Sequence, residues 1–276
     1  MKKLLKILIS IIIIVVLLIT FASVQFSKTP ISSSFTLTSH TNSPQNYIAH
    51  RGLSSVYPEN SLPAIEGAIE NGYYGCEFDI HTTKDNIWIL NHDSNIDKMT
   101  NGSGDIKDLT YDELIEYNID NGNGIENYES LKLPKLTEAL EIISKSNIVP
   151  FIEIKGYNPD AFKILIDTIS EYGLSEITVI ISFDMEALLG IRKIDKNIKL
   201  MYLTNNLTID DVNACMKNGN IGVNINGGNI FKMKDAIAYS QSHGLETAAW
   251  TIDLPIHADL LNLFNIKYIT TNRILP

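Results

Sequence analysis

The chain has 276 residues, 45% of them hydrophobic, with 22 basic against 32 acidic side chains and a formal net charge of −10. That balance excludes a nucleic-acid binder, because a phosphate backbone calls for a basic stripe and the Lys and Arg residues here are scattered. Cys76 and Cys215 are too few and too far apart in sequence for a metal cage or a disulfide framework, and both read as buried thiols.

In chain order, Lys2, Lys3 and Lys6 precede an unbroken apolar run from about Leu8 to Phe21. Basic residues ahead of such a run predict that residues 1–22 are a membrane anchor, a transmembrane helix or uncleaved signal, with its start in the cytoplasm. The rest of the chain then lies on the extracytoplasmic side, membrane-anchored, or secreted if the segment is cleaved. Residues 23–46, rich in Ser and Thr, read as a polar tether.

From Tyr47 onward, short apolar runs alternate with helix-like segments, as a parallel sheet with crossover helices requires. Strands are predicted over 47–50, 75–81, 148–154, 177–182, 198–203, 221–226, 246–251 and 267–271. Eight strands close a barrel, so residues 47–276 read as one α/β domain, a single TIM (β/α)8 barrel, in preference to an open doubly wound sheet. Asn60 or Ser61 opens a helix with Leu62, Ile65, Ala68 and Ile69 on one face, and Gly72 follows its end. Thr137 opens another. Phe162, Leu165, Ile166 and Ile169 repeat the pattern before Gly173, as do Val212, Cys215 and Met216 before Gly219.

Two features break the alternation. The apolar run 87–90 follows the second strand after only residues 82–86, too short for a crossover helix, so it is a hairpin partner that returns Asn91, His92 and Asp93 toward the barrel mouth. Residues 94–135, rich in Asn, Gly and Asp, read as a polar insertion over the active face, with one helix introduced by a capping box of Thr110 and Glu113.

Chemistry-bearing residues gather at strand ends, where barrels present their catalytic groups. The first strand ends in His50, Arg51 and Gly52. In the second, period-two alternation puts Glu77, Asp79 and His81 on one side. In the third, Glu153 and Lys155 share a side. Like charges buried side by side need a cation, and three carboxylates form an oxygen-rich set suited to Mg²⁺ or Ca²⁺ rather than Zn²⁺. A buried ion pair is the bland alternative for each acid. His81, His243 and His257 read as surface or packing residues, and Trp250 either plugs the barrel or walls the site.

Several linked motifs resemble those of the glycerophosphodiester phosphodiesterase family. They are His50-Arg51-Gly52 with Pro58-Glu59-Asn60-Ser61, then Glu77-Phe78-Asp79 with Thr83-Lys84-Asp85 and His92-Asp93, then Glu153-Ile154-Lys155, Ser182-Phe183 and Trp250-Thr251. Thr100, Gly102, Gly104 and the stretch from Leu133 to Glu138 resemble the borders of that family's insertion. The resemblance implies metal-dependent hydrolysis of glycerophosphodiesters to sn-glycerol 3-phosphate and an alcohol. It makes Glu77, Asp79 and Glu153 the metal ligands, His50 and His92 the acid–base pair, and Arg51, Lys155 and Trp250 substrate-binding residues. Lys98, Asp253 and Asn272 depart from the pattern, where Arg, Asn and Asp are common. The alternatives are a phospholipase D-like barrel acting on intact phospholipid and an inactive surface-binding barrel. Residues 94–135 are polar and lack the exposed Trp, Phe or Leu cluster expected of a surface-inserting loop, which favours soluble diesters.

Overall fold

The apolar runs form strands and the amphipathic segments between them form helices, in the order that the alternation demands. The computed structural model of the protein describes residues 46–273, so the predicted anchor and all of the predicted tether except Asn46 lie outside the described residues. Among the described residues no helix is long and apolar enough to cross a membrane.

The strands are β1 (Asn46–Ala49), β2 (Gly75–Thr82), β3 (Trp88–Leu90), β4 (Val149–Ile154), β5 (Val179–Ser182), β6 (Lys199–Thr204), β7 (Gly222–Asn226), β8 (Thr247–Trp250) and β9 (Tyr268–Thr271). The helices are α1 (Leu62–Glu70), α2 (Tyr111–Leu114), α3 (Leu136–Ile143), α4 (Pro159–Glu171), α5 (Met185–Ile194), α6 (Ile209–Lys217), α7 (Lys234–Ser242) and α8 (Pro255–Asn262). Hydrogen-bonded neighbours run β1-β9-β8-β7-β6-β5-β4-β2, and β1 pairs with β2 to close the ring. All of these pairings are parallel, while β3 lies antiparallel on β2 as the predicted hairpin partner. Asn46, at the predicted end of the tether, already pairs with Tyr268 in this ring.

Alternation along the strands divides two cores. Ile48, Phe151, Val179, Ile181, Met201, Leu203, Ala248 and Tyr268 fill the barrel interior. The opposite faces, with Phe78, Ile80, Ile152 and Ile180, meet Ile65, Leu140, Phe162, Leu165 and Leu188 from the helices. Burying each such side chain contributes roughly 1.5–3 kcal/mol, enough in sum to offset the ordering of the chain.

Element edges follow local hydrogen bonding. Ser61 caps α1 by accepting from the Ala64 N–H, as predicted. The helix predicted from Thr137 starts at Leu136, because the Glu138 carboxylate accepts from the Lys135 N–H at 2.8 Å and stops the turn there. The strand predicted from residue 177 starts at Val179. Ile177 and Thr178 both donate backbone N–H groups to the Leu174 carbonyl, and the Thr178 hydroxyl adds a third bond, so they continue the turn after α4.

The insertion, expected to be polar, also encloses a buried apolar cluster. Its predicted helix is the single turn α2, with the Thr110–Glu113 capping box formed. Around it, Ile96, Met99, Ile106, Tyr111, Leu114, Ile119 and Leu133 bury a separate small core with Ile89 of β3. None of the large apolar side chains left exposed among the described residues falls within 94–135. The segment is fastened to the β1–α1 loop, where Asn123 Nδ2 donates to the Ser54 carbonyl at 2.7 Å and Lys98 Nζ meets Glu59 Oε1 at 3.0 Å.

Candidate active site

Barrel register decides which acids meet. Asp79 of β2 stands opposite Glu153 of β4, and Glu77 lies two residues earlier on the same inward side. One carboxylate oxygen from each of the three lies within 4.8 Å of the others. All three are buried, at 2%, 1% and 8% exposure for Glu77, Asp79 and Glu153.

Their partners are unequal. Asp79 receives Lys155 Nζ at 3.2 Å and Arg51 Nε at 3.5 Å, with Asn60 Nδ2 donating at 2.9 Å. Burial works to raise its pKa, but Lys155, Arg51 and Asn60 together hold it below the usual carboxylate range. Glu153 bonds Lys155 Nζ at 2.8 Å, yet burial and then Asp79 push its pKa up to about 7. Glu77 accepts the Arg51 N–H at 2.8 Å on Oε2 while its buried Oε1 has no hydrogen-bond partner among the described residues. Burial, Asp79 and Glu153 raise its pKa well above the ordinary value. An orphaned buried carboxylate oxygen facing two more acids is stabilised by a hard divalent cation, so the donor set fits a divalent metal.

The β1–α1 loop supplies the cationic side. Arg51 takes a left-handed backbone (φ +58°), unusual for a side chain of its size. The next residue, Gly52 (φ +74°), packs so close to α1 that a Cβ there would lie 2.6 Å from Ala64. This double left-handed turn points the Arg51 N–H at Glu77 and returns its guanidinium over Asp79, with Glu59 gripping Nη1 at 3.0 Å. Strain of this kind persists where surrounding contacts impose it.

Both histidines reach the mouth. His50 Nδ1 sits 2.7 Å from Asn272 Oδ1, and Asn272 in turn donates its N–H and its Nδ2 to the Asp253 carboxylate, each at 2.8 Å. Because Nδ2 faces Asp253, Oδ1 is the acceptor, so the His50 hydrogen is on Nδ1 and the Nε2 lone pair is free, 4.0 Å from Glu77 Oε2. Burial and then Arg51 lower the His50 pKa, which favours the neutral ring. His92, delivered by the hairpin, has Asp93 Oδ1 at 2.7 Å from its Nδ1. His81, read from sequence as a packing residue, bonds through Nε2 to the His92 carbonyl at 3.2 Å and so fixes the returning chain.

These groups enclose a cavity of about 120 Å³ with a charged wall and an uncharged one. His50, Arg51, Glu77, His92, Glu153 and Lys155 form the first; Ile181, Phe183, Leu203, Asn224 and Trp250 belong to the second. Phe183 and Trp250 meet edge to face with centroids 5.5 Å apart, which puts Trp250 on the cavity wall. Of the eight site residues expected from sequence, His50, Arg51, Glu77, His92, Glu153, Lys155 and Trp250 line this cavity, and Asp79 sits behind it against Arg51 and Lys155. In the sequence Asn60 stands out only as a helix opener and part of the opening motif, Asn272 and Asp253 only as departures from the family pattern, and Asn224 not at all.

Residues 50–275 match the model of the glycerophosphoryl diester phosphodiesterase family. The chain belongs to that family. A glycerophosphodiester phosphodiesterase of Caldanaerobacter subterraneus is 35% identical over 159 residues, covering 56% of this chain and 65% of the relative. The chain thus spans just under two thirds of that curated relative. Among solved structures, a glycerophosphodiester phosphodiesterase of Parabacteroides distasonis superposes with a TM-score of 0.72 at 27% identity, covering 83% of this chain and 93% of the other. A phosphodiesterase of Oleispira antarctica, in complex with the product sn-glycerol-3-phosphate, shares the fold at a TM-score of 0.76 and 21% identity, covering 82% and 92%. As a family member, the chain has the closed parallel barrel and the buried acidic triad in one molecule.

Proposed function

We propose that the protein hydrolyses glycerophosphodiesters to sn-glycerol 3-phosphate and an alcohol, with Glu77, Asp79 and Glu153 holding Mg²⁺ or Ca²⁺. The observation that carries this reading is the trio of carboxylates, with oxygens within 4.8 Å, between Arg51 and Lys155 at the mouth of the barrel. With the three acids ionised, the two cations leave the cluster one charge negative. A bound divalent ion reverses that sign and supplies the positive field that an anionic phosphodiester needs. Product identity draws support from the Oleispira antarctica fold relative, whose structure holds sn-glycerol-3-phosphate.

In this reading Arg51 and Lys155 hold phosphoryl oxygens and Trp250 flanks the organic group. His50, neutral and with its Nε2 lone pair free, is the base that takes a proton from the attacking hydroxyl. That hydroxyl belongs either to water or to the neighbouring carbon of the glycerol group, which would give a cyclic phosphate first. His92, with the Asp93 carboxylate on its other nitrogen, is the acid that protonates the departing alkoxide.

The absence of exposed large apolar side chains in 94–135 among the described residues favours soluble diesters over intact phospholipid. Residues 1–22 are the membrane anchor in this account, with the barrel on the extracytoplasmic side; protease added to intact cells should digest the barrel, and recovery of the full-length chain in the cytosolic fraction contradicts the placement. Assay of the full chain against glycerophosphocholine and against phospholipid vesicles, each with and without chelator, tests the activity. Chelator-sensitive cleavage of glycerophosphocholine alone is the expected result, and cleavage of vesicles alone refutes it.

A further inference from the structure

Among the described residues, three that line the cavity carry a buried side-chain atom without a hydrogen-bond partner: Arg51 Nε, Glu77 Oε1 and Asn224 Oδ1. The first two lie on the charged wall, where cation and phosphate account for them. Asn224 is on the other side. It is 1% exposed, on β7, with inward-facing Leu203 as its register partner on β6, and Ile181 and Trp250 also line its wall. A buried polar atom left unpaired among apolar neighbours is destabilising, and Leu would fill the same space without that penalty. The main chain at this position is pinned as well, since Trp250 Nε1 donates to the Asn224 backbone carbonyl at 3.4 Å.

An acceptor oxygen there repels phosphate oxygens and suits a hydroxyl. Turned over, the amide still pairs with a hydroxyl, because a hydroxyl both donates and accepts. Arg51 and Lys155 provide donors for the anionic end of a ligand, so the amide across the cavity meets its alcohol end. We propose that Asn224 is a positioning and specificity-determining residue, whose side-chain amide binds a hydroxyl of the glycerol group and makes the site prefer hydroxylated phosphoesters to plain alkyl ones. This rests on the glycerophosphodiester reading above, and adds the group that reads the glycerol.

The test is calorimetric binding of sn-glycerol 3-phosphate and of n-propyl phosphate to the full chain in the presence of Mg²⁺, for wild type, Asn224→Leu and Asn224→Ala. Wild type should prefer the glycerol ester by about tenfold or more, since a site built for a hydroxyl rejects the ligand lacking it. Both variants should lose that preference while binding propyl phosphate and Mg²⁺ as wild type does. The alanine variant serves if the leucine variant misfolds, as judged by its melting curve. An unchanged preference in a folded variant, an equal loss for both ligands, or no preference in wild type overturns the proposal. A drop in Mg²⁺ affinity also overturns it, by making Asn224 a metal ligand. Binding needs no turnover, so a wild type that discriminates the two esters but fails to cleave glycerophosphocholine sinks the activity and leaves Asn224's role standing.

Discussion

Asn272 Oδ1 lies 2.7 Å from His50 Nδ1, across 222 residues of sequence, because the barrel closes β9 onto β1. Asp253 pins the amide from its far side, so the buried imidazole has a neutral partner with the carboxylate one step removed. A carboxylate placed directly on Nδ1 favours the protonated ring, typically by about one pKa unit or more. Asn272→Asp should therefore shift the acidic limb of the kcat/KM profile to higher pH, as a protonated His50 cannot act as base. The substitution also sets two carboxylates side by side, so the variant should melt lower, and Asp253→Asn combined with it should recover the melt. An acidic limb that does not move removes His50 as the group it reports.

Removing either imidazole should lower kcat by about 10²-fold or more, the usual worth of general acid–base catalysis. The two should differ with the leaving group. A p-nitrophenyl diester departs without protonation, so it should restore much of the rate of His92→Ala and little of that of His50→Ala. Equal rescue of both variants contradicts the division of roles.

Asn60 holds Asp79 by two bonds, donating from Nδ2 to Oδ2 at 2.9 Å and accepting the Asp79 N–H on Oδ1 at 3.0 Å. Its own backbone is left-handed, at φ +56°. Asn60→Gly keeps that backbone at ease and deletes both bonds, and it should weaken divalent affinity by about 10- to 100-fold, as losing an outer partner of a ligand does. Asn60→Ala should do the same and also melt lower, because Ala resists that conformation. Metal titrations equal to wild type in the glycine variant remove Asn60 from the site.

Burial raises the pKa of Glu153 to about 7 from an ordinary value of 4.5, and that of Glu77 rises as well. Between those values the folded, metal-free protein binds more protons than the unfolded chain, so these two acids make stability fall as pH rises from about 4.5 through 7. A divalent ion stabilises the ionised carboxylates, offsetting both the burial and the mutual repulsion that raise the pKa values. The gain in melting temperature on adding Mg²⁺ or Ca²⁺ should accordingly be larger at pH 7.5 than at pH 5. A gain that shrinks with pH contradicts the carboxylate site.

The strands and the acids on them were legible because alternation is local: it aims Glu77 and Asp79 inward whatever the rest of the chain does. The short link between β2 and β3 likewise forced a hairpin and so returned His92. Partners that meet through closure of the ring carry no such local mark. Asn272 reaches His50 only because β9 is laid beside β1, and Asn224 faces the acids across a cavity that exists after all the strands have paired. The small core inside the insertion leaves no mark in the sequence because its apolar residues, Ile96, Met99, Ile106 and Ile119, are spaced too irregularly to show a period and collect around Tyr111 in three dimensions.

The most direct measurement is release of sn-glycerol 3-phosphate from glycerophosphocholine by the full chain against divalent concentration, for wild type and Glu77→Gln. The account predicts a saturable dependence for wild type, no release in excess chelator, and recovery on adding Mg²⁺ or Ca²⁺. It also predicts that Glu77→Gln needs a far higher ion concentration for any rate. Release that ignores chelator, or a variant that saturates at the wild-type concentration, would contradict it.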